Sequence, residues 1–154
     1  MMKLDRFNRD ILRALQEDSD ISQRALSEKV NLSPNACWHR VQTLRKNGII
    51  TGQTTRLDRK KLDLNLVVFV MLRTRNHSSE WLDKFRKLVD KIPEVIDFYR
   101  LGGDYDYFLK VVTKDMESYD GVYQRLIDGM DFDTINSYFA MEAIAEQQPL
   151  PLDL

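Results

Sequence analysis

The stretch Leu32-Ser33-Pro34-Asn35-Ala36-Cys37-Trp38-His39-Arg40-Val41-Gln42-Thr43-Leu44-Arg45-Lys46-Asn47-Gly48-Ile49-Ile50 decides how the first third of the chain folds. Ser33 is a helix-capping residue, and Pro34 suits the first helical position, where its missing N–H is not needed. Cys37, Val41 and Leu44 recur at helical spacing, and Gly48 supplies the stop. Turning those three residues inward sends Asn35, Trp38, His39, Gln42 and Lys46 outward. Upstream, Ser22 caps a shorter helix carrying Ala25, Leu26 and Val30, and the chain turns at Asn31. Further upstream, Leu4, Phe7, Ile11, Leu12 and Leu15 form the stripe of a helix capped by Asp5 and stopped by Asp18-Ser19-Asp20. Downstream, Ile49 to Leu57 is β-branched with turn formers in its middle, which predicts a hairpin wing. The order is helix, helix, turn, helix, wing.

Beyond this segment the period changes. Leu64 to Leu72 is apolar at both alternating sets of positions, so the strand expected there is covered on both sides, by helices on one and by a second subunit on the other. His77-Ser78-Ser79 opens a helix with Trp81, Leu82, Phe85, Leu88, Val89 and Ile92 on one stripe, ended by Pro93, with His77 capping or flanking it. Val95–Leu101 and Tyr105–Val112 read as strands joined by a turn at Gly102-Gly103. Met116, Tyr119, Val122, Tyr123, Leu126, Ile127 and Met130 trace another helix, and Ile135, Ser137, Phe139 and Met141 alternate in a last strand. The order βαββαβ is that of a ferredoxin-like unit, and the fold class is α+β. Arg59-Lys60-Lys61 marks an exposed linker within Asp58 to Asp63, dividing residues 1–60 from residues 61–154. The polar, proline-containing tail from Glu146 to Leu154 is expected to be mobile.

The 154 residues are 43% hydrophobic and 31% charged, a balance that allows a packed core and argues against disorder. The longest apolar run, Leu66 to Leu72, is far short of the ~20 residues that cross a bilayer. The opening Met1-Met2-Lys3-Leu4-Asp5 turns charged too soon for a secretion signal, so the expected location is the cytoplasm, away from membranes. Cys37 is the single cysteine, which excludes an internal disulfide and any CxxC metal site. No metal-ligand set and no cofactor motif is evident. His39 and His77 are the only histidines, and no HExxH, P-loop or nucleophile-elbow pattern occurs, so an enzyme is not expected. Cys37 reads as a small core residue rather than a nucleophile.

The net charge of −1 hides a division. Residues 1–61 hold 13 Lys or Arg against 7 Asp or Glu, and residues 62–154 hold 10 against 17. A cationic first part attracts a polyanion. In a helix-turn-helix the second helix enters the major groove, where Asn and Gln pair with adenine while capping hydroxyls, helix-start N–H groups and basic side chains hold phosphates. The candidate DNA-binding residues are therefore Ser33, Pro34, Asn35, Trp38, His39, Arg40, Gln42, Arg45 and Lys46. The same polar residues would also serve as a merely solvated face. The exposed Trp38 argues for a contact, either with DNA or with a neighbouring helix.

A second constellation lies in the acidic part. Gly102-Gly103 can take positive φ, which lets consecutive N–H groups converge as a nest for a carboxylate. Asp104 and Asp106 beside it suit an ammonium, and Leu101 and Tyr105 offer apolar walls. Together they would fit an α-amino acid. A plain hairpin with surface aspartates fits these residues equally.

The run Leu4-Asp5 to Leu15, Leu32-Ser33-Pro34 with Cys37, Arg40, Val41 and Leu44, the Gly48-Ile49-Ile50 exit, and Gly103-Asp104-Tyr105-Asp106-Tyr107 resemble the Lrp/AsnC, or feast/famine, family of transcriptional regulators. The resemblance spans nearly the whole chain in the right order. It implies a winged helix-turn-helix joined to an effector-binding αβ-sandwich, called RAM, that dimerises through its sheets, with dimers often assembling into octamers. It implies a small amino-acid effector bound near the glycine–aspartate motif where effector domains meet. Asn136 and Ser137 are then secondary candidates, and a neighbouring chain contributes. A two-fold dimer matches a pseudo-palindromic operator in double-stranded DNA. His77-Ser78-Ser79-Glu80-Trp81 and the segments Ser137–Glu142 and Leu150–Leu152 look like a branch that includes cysteine-responsive regulators, although leucine and methionine sensors look similar. The expectation is a regulator of amino-acid metabolism; the alternative is an amino-acid-binding assembly module whose helical part contacts protein instead of DNA.

Overall fold

A computed structural model describes residues 2–152. Met1, Asp153 and Leu154, which fall in the expected first domain and tail, lie outside the described residues. Three helices open the chain: α1 (Arg6–Glu17), α2 (Gln23–Lys29) and α3 (Pro34–Lys46). Each starts where a short polar side chain accepts an otherwise orphaned helix N–H: Asp5 from Asn8, Ser22 from Ala25 and Ser33 from Ala36. Asn31 ends α2 with φ +54°, a left-handed conformation that asparagine tolerates, and the Leu32 N–H returns to the Ser27 carbonyl. Gly48 does the same for α3 with φ +69°, and the Ile49 N–H returns to Leu44. The core between the helices is Ile11, Leu12, Ala14, Leu26, Val30, Cys37, Val41 and Leu44. Cys37 is fully buried, and burial pushes its thiol ionisation up, as suits a packing residue.

The expected hairpin wing is not formed. From Thr51 to Asp58 the backbone is irregular, tied down instead by Gln53 Nε2 to the Ser19 carbonyl (2.9 Å) and Arg56 Nη2 to the Gln16 carbonyl (2.9 Å). Ile49 and Ile50 pack on the helical core while Thr51 to Asp58 is exposed throughout, and a two-stranded hairpin without a buried face is marginal in water.

The rest of the chain follows the βαββαβ order: β1 (Leu66–Arg73), α4 (Ser79–Val89), β2 (Val95–Arg100), β3 (Tyr107–Thr113), α5 (Met116–Gly129) and β4 (Thr134–Phe139). Ser78, not His77, caps α4, accepting from the Trp81 N–H. The sheet order is β2-β3-β1-β4, antiparallel throughout. Val68, Val70 and Leu72 of β1 and Tyr107, Leu109 and Val111 of β3 join Trp81, Phe85, Tyr119, Val122 and Leu126 of the two helices in one core. Strand side chains alternate, so Val67, Phe69 and Met71 share the opposite, helix-free face with Phe108 and Lys110. There the Phe69 and Phe108 rings stack at 5.8 Å, and Tyr99 of β2 lies 6.0 Å from Phe108.

Two compact units result. One comprises the residues up to Arg56 together with the segment from Ala145 onward; the other runs from Leu57 to Ile144. The linear division at residue 60 thus differs from the observed one at both crossings. Asp58–Asp63 is an ordered turn of the second unit, in which the Asp58 carboxylate accepts the Lys60 N–H and Asp63 takes φ +62°. The tail, expected to be mobile, is docked on the first unit: Leu152 packs on its core, and the Gln16 side chain hydrogen-bonds both peptide groups of Leu150. Leu150 itself stays exposed, and together with Leu152, Leu4, Leu12, Leu15 and Ile49 it lines a cleft of about 260 Å³.

Candidate functional site

Helix α3 presents its polar residues in three groups, set by the rotation of about 100° per residue. Asn35, His39, Gln42 and Lys46 lie opposite the buried Cys37 and Leu44, and all but the half-buried Gln42 are exposed. Trp38 and Arg45 flank that row on one side; Trp38 is 46% exposed, with the His39 ring edge-on at 4.9 Å. Ser33 and Pro34 stand at the exposed helix start, and Gln23 Nε2 donates to the Pro34 carbonyl at 3.0 Å, fixing α2 against that first turn. Arg45 and Lys46 close the last turn, and the helix carries no acidic side chain.

Arg40 differs from its expected role as a phosphate contact. It lies beside the core side of α3, where its Nη1 donates to Asp5 Oδ2 (2.7 Å) and Asn8 Oδ1 (3.0 Å), and its guanidinium sits 5.3 Å from the Phe7 ring centre. The Asn8 N–H, then Arg40, hold the Asp5 carboxyl below its ordinary value against the opposing effect of burial. Arg40 is thus occupied in joining α3 to the start of α1.

In the second unit, residues 101–106 connect β2 to β3. The Leu101 N–H donates to the Asp106 carbonyl, and the Asp106 N–H to the Leu72 carbonyl, anchoring the loop to the end of β1. Gly103 takes φ +144°, whereas Gly102 does not enter the left-handed region, so the positive φ expected at the pair occurs at one of them. A Cβ on either glycine would meet no heavy atom within 4 Å, so the loop backbone faces open space. Leu101 and Tyr105 are half-buried and Asp104 is exposed.

The two aspartates separate. Asp106 Oδ2 accepts the Thr74 N–H at 2.8 Å, and Oδ1 lies 3.8 Å from His77 Nδ1, so Asp106 braces the loop. Asp104 is held by its backbone carbonyl, which accepts from Arg73 Nε at 2.9 Å. The Arg73 guanidinium also lies 5.6 Å from the Tyr105 ring centre. Asn136 Nδ2 donates to the Tyr105 hydroxyl at 2.7 Å, which brings two sequence candidates together. Tyr138 first, then Asn136, by hydrogen-bonding that hydroxyl, hold the Tyr105 ionisation below the ordinary tyrosine value.

Ser137 does not join this group. It is one strand position from Asn136 and therefore points to the helix-covered face, where it hydrogen-bonds the Tyr119 hydroxyl. Arg73, Thr74 and Tyr138 are the neighbours that sequence reasoning missed. For Tyr138 a signal existed, since it shares a face with Asn136 two residues before it. Thr74 also lines a cleft of about 460 Å³ with Arg75, Trp81, Lys84, Phe132 and Asp133. Among the described residues no group of three or more His, Cys, Asp or Glu is gathered to hold a metal ion. No helix among them is long and apolar enough to cross a membrane.

Comparison with known proteins places both units. Residues 4–51 match the winged helix-turn-helix DNA-binding family and residues 67–150 the Lrp/AsnC ligand binding domain. The chain is 40% identical over 151 residues to the DNA-binding transcriptional activator DecR of Escherichia coli (strain K12), covering 97% of this chain and 99% of that protein. It superposes on the crystal structure of an AsnC family transcriptional regulator from Agrobacterium tumefaciens with a TM-score of 0.94 and 44% identity, over 97% and 98% of the two chains. A transcriptional regulator of Neisseria meningitidis, crystallised as a complex with L-Met, gives a TM-score of 0.92 at 30% identity over 98% of each chain.

Proposed function

Because this chain belongs to the Lrp/AsnC family of transcriptional regulators, we propose that α3 reads a pseudo-palindromic operator from a homodimer and that an amino acid bound at residues 101–106 modulates that reading. The observation that carries the DNA half is the composition of the outer face of α3: Asn35, His39, Gln42 and Lys46 in a row, with Trp38 and Arg45 beside them and Ser33 at the start. Asn35 and Gln42 supply base-edge hydrogen bonds, while Arg45, Lys46 and the helix-start N–H groups hold phosphates. Arg40 is left out of this set, because its guanidinium serves Asp5 and Asn8.

The effector half rests on the open backbone at Gly102-Gly103 beside Arg73, Asp104 and Tyr105. Loop N–H groups and Arg73 suit a carboxylate, and the Asp104 carboxylate suits an ammonium. Leu101 and Tyr105 are the apolar walls. L-Met is the first ligand to test, since a relative is complexed with it; L-Cys is the second, from the resemblance of the segments 77–81 and 137–152.

The helix-free face of the sheet supports dimerisation, because Phe69, Met71 and Phe108 are only half-buried on it and Tyr99 and Tyr138 beside them are exposed. Dimers assembling further, up to octamers, would let a neighbouring chain complete the effector site. The effector acts by its differential affinity for two arrangements of dimers, shifting their populations.

The test is a mobility shift with the promoters of this gene and its neighbour, at several salt concentrations and with each proteinogenic amino acid. Binding that weakens steeply with salt and is altered by one or a few amino acids is expected. Salt-independent binding, or none at low ionic strength, overturns the DNA assignment. Amino-acid binding without DNA binding would establish an assembly module instead.

A further inference from the structure

The loop at residues 101–106 connects β2 to β3, yet its Tyr105 reaches past β1 to the edge strand β4. The Tyr105 hydroxyl accepts from Asn136 Nδ2 at 2.7 Å and is hydrogen-bonded by Tyr138 as well. Asn136 stands opposite Met71 and Tyr138 opposite Phe69, so both belong to the helix-free face of the sheet. The Arg73 guanidinium lies 5.6 Å from the Tyr105 ring centre, while its Nε donates to the Asp104 carbonyl at 2.9 Å. Tyr105 is thus clasped at its hydroxyl end by β4 and beside its ring by β1. What it offers a ligand at the loop is the ring.

With an α-amino acid at the loop, each polar group there has a partner. Arg73 and the open backbone at Gly102-Gly103 take the α-carboxylate, and the Asp104 carboxylate takes the α-ammonium. Asp106 accepts the Thr74 N–H at 2.8 Å and lies 3.8 Å from His77. For the effector's own side chain there remain Leu101 and the Tyr105 ring, both half-buried. A polar or charged side chain set against them would lose its hydrogen bonds to water without replacement. We propose that Asn136 and Tyr138 are positioning residues that make Tyr105 an apolar wall, and that this chain therefore selects an amino acid with an uncharged, apolar side chain. Thioether and thiol side chains fall in that class, because sulfur is soft and packs favourably on an aromatic ring. Asn136 acts through Tyr105 and does not touch the effector. The proposal rests on the effector reading above, and one arm of its test is independent of that reading.

Calorimetry on the full-length protein measures the affinity of each proteinogenic amino acid. The tightest is expected to carry an apolar side chain and to exceed its polar counterpart of similar size by at least about tenfold: L-Gln and L-Glu for L-Met, L-Asn for L-Leu, L-Ser for L-Cys. A polar or charged amino acid as the tightest ligand, or a smaller margin, overturns the proposal. Tyr105→Phe and Asn136→Ala each remove the hydrogen bond between these residues and are expected to weaken the tightest ligand about fivefold. The double variant should bind no more weakly than either single one, because both changes act on one ring. Additive losses overturn the positioning role, since Asn136 would then touch the ligand itself, and so does an unchanged affinity in Tyr105→Phe. Tyr138 first, then Asn136, with Arg73 adding to them and Asp104 opposing, hold the Tyr105 ionisation below the ordinary tyrosine value. In Asn136→Ala the Tyr105 resonance of protein carrying isotope-labelled tyrosine is expected to titrate at higher pH than in the parent; an unmoved titration overturns the clasp even if no amino acid binds. If no amino acid binds the parent while that titration moves, the effector reading fails, the selection for an apolar side chain fails with it, and the clasp on Tyr105 stands.

Discussion

Arg40 of α3 and Asp5, the residue that caps α1, meet at 2.7 Å across 35 positions of sequence. The contact makes one carboxylate serve two helices, since the same Asp5 accepts the Asn8 N–H at 2.8 Å. Asp5→Ala removes the cap and the ion pair together and is expected to cost the first unit about 1–2 kcal/mol, most of it from the cap. Arg40→Ala should cost less, because partly exposed ion pairs contribute little. Urea unfolding of the two variants and the parent measures both.

The same carboxyl gives a pH dependence. The Asn8 N–H and Arg40 hold its folded-state ionisation below the unfolded value. The resulting stabilisation is present above pH ~4, the ordinary aspartate value, and is lost as pH falls through the lower folded-state value. Asp5→Asn should therefore flatten the acid limb of the stability curve below pH ~4 and leave its shape at neutral pH unchanged. Unfolding midpoints collected from pH 2.5 to 7 would show equal acid slopes if the prediction is wrong.

On α3, side chains opposite the core should divide by what they touch. Arg45→Ala and Lys46→Ala are expected to weaken binding to all DNA sequences alike and to lower the salt slope by about one each. Asn35→Ala and Gln42→Ala should cost about 1–3 kcal/mol on the operator and almost nothing on unrelated DNA. Anisotropy titrations on both DNAs at several salt concentrations distinguish these outcomes.

Gly103 has φ +144°, where an L side chain is strained even with open space around its Cβ. Gly103→Val should distort the loop and abolish the amino-acid response while basal operator binding persists, because the helical unit is untouched. An unaltered response in a ligand titration would falsify the effector assignment.

The two loop aspartates should behave differently. Asp106→Ala leaves the buried Thr74 N–H without its acceptor and is expected to destabilise the second unit by about 1–3 kcal/mol as well as blunt the response. Asp104→Ala should blunt the response with stability within about 0.5 kcal/mol of the parent. Thermal unfolding beside ligand titration of each variant separates brace from ligand contact.

Much of this was legible because it is local. Asp5, Ser22 and Ser33 each sit one residue before a helix begins, and a capping side chain reaches only its own first turn. Gly48 marks a helix end for the same reason. The alternation in Leu66–Leu72 and in Tyr107–Val112 places one set of side chains under two helices and the other on an open face. The candidate loop was found through its glycines, whose backbone freedom is a property of the residue type. Adjacency to Asn136 does not bring Ser137 to Tyr105, because neighbours along a strand point to opposite faces and Ser137 meets the Tyr119 hydroxyl instead.

What the chain's own pattern determined, then, is the caps, the periods, the order of elements and the charge division between its parts, since each depends on residues a few positions apart. Tertiary structure alone decided that Arg40 turns to Asp5, that Arg73 and Tyr138 gather at Tyr105, that Ile49–Leu57 forms no hairpin, and that the tail returns to Gln16. The contacts among them join residues 32 to 134 positions apart. No local preference encodes them; they exist because burying one helix, strand or leucine against another brings their polar groups within reach.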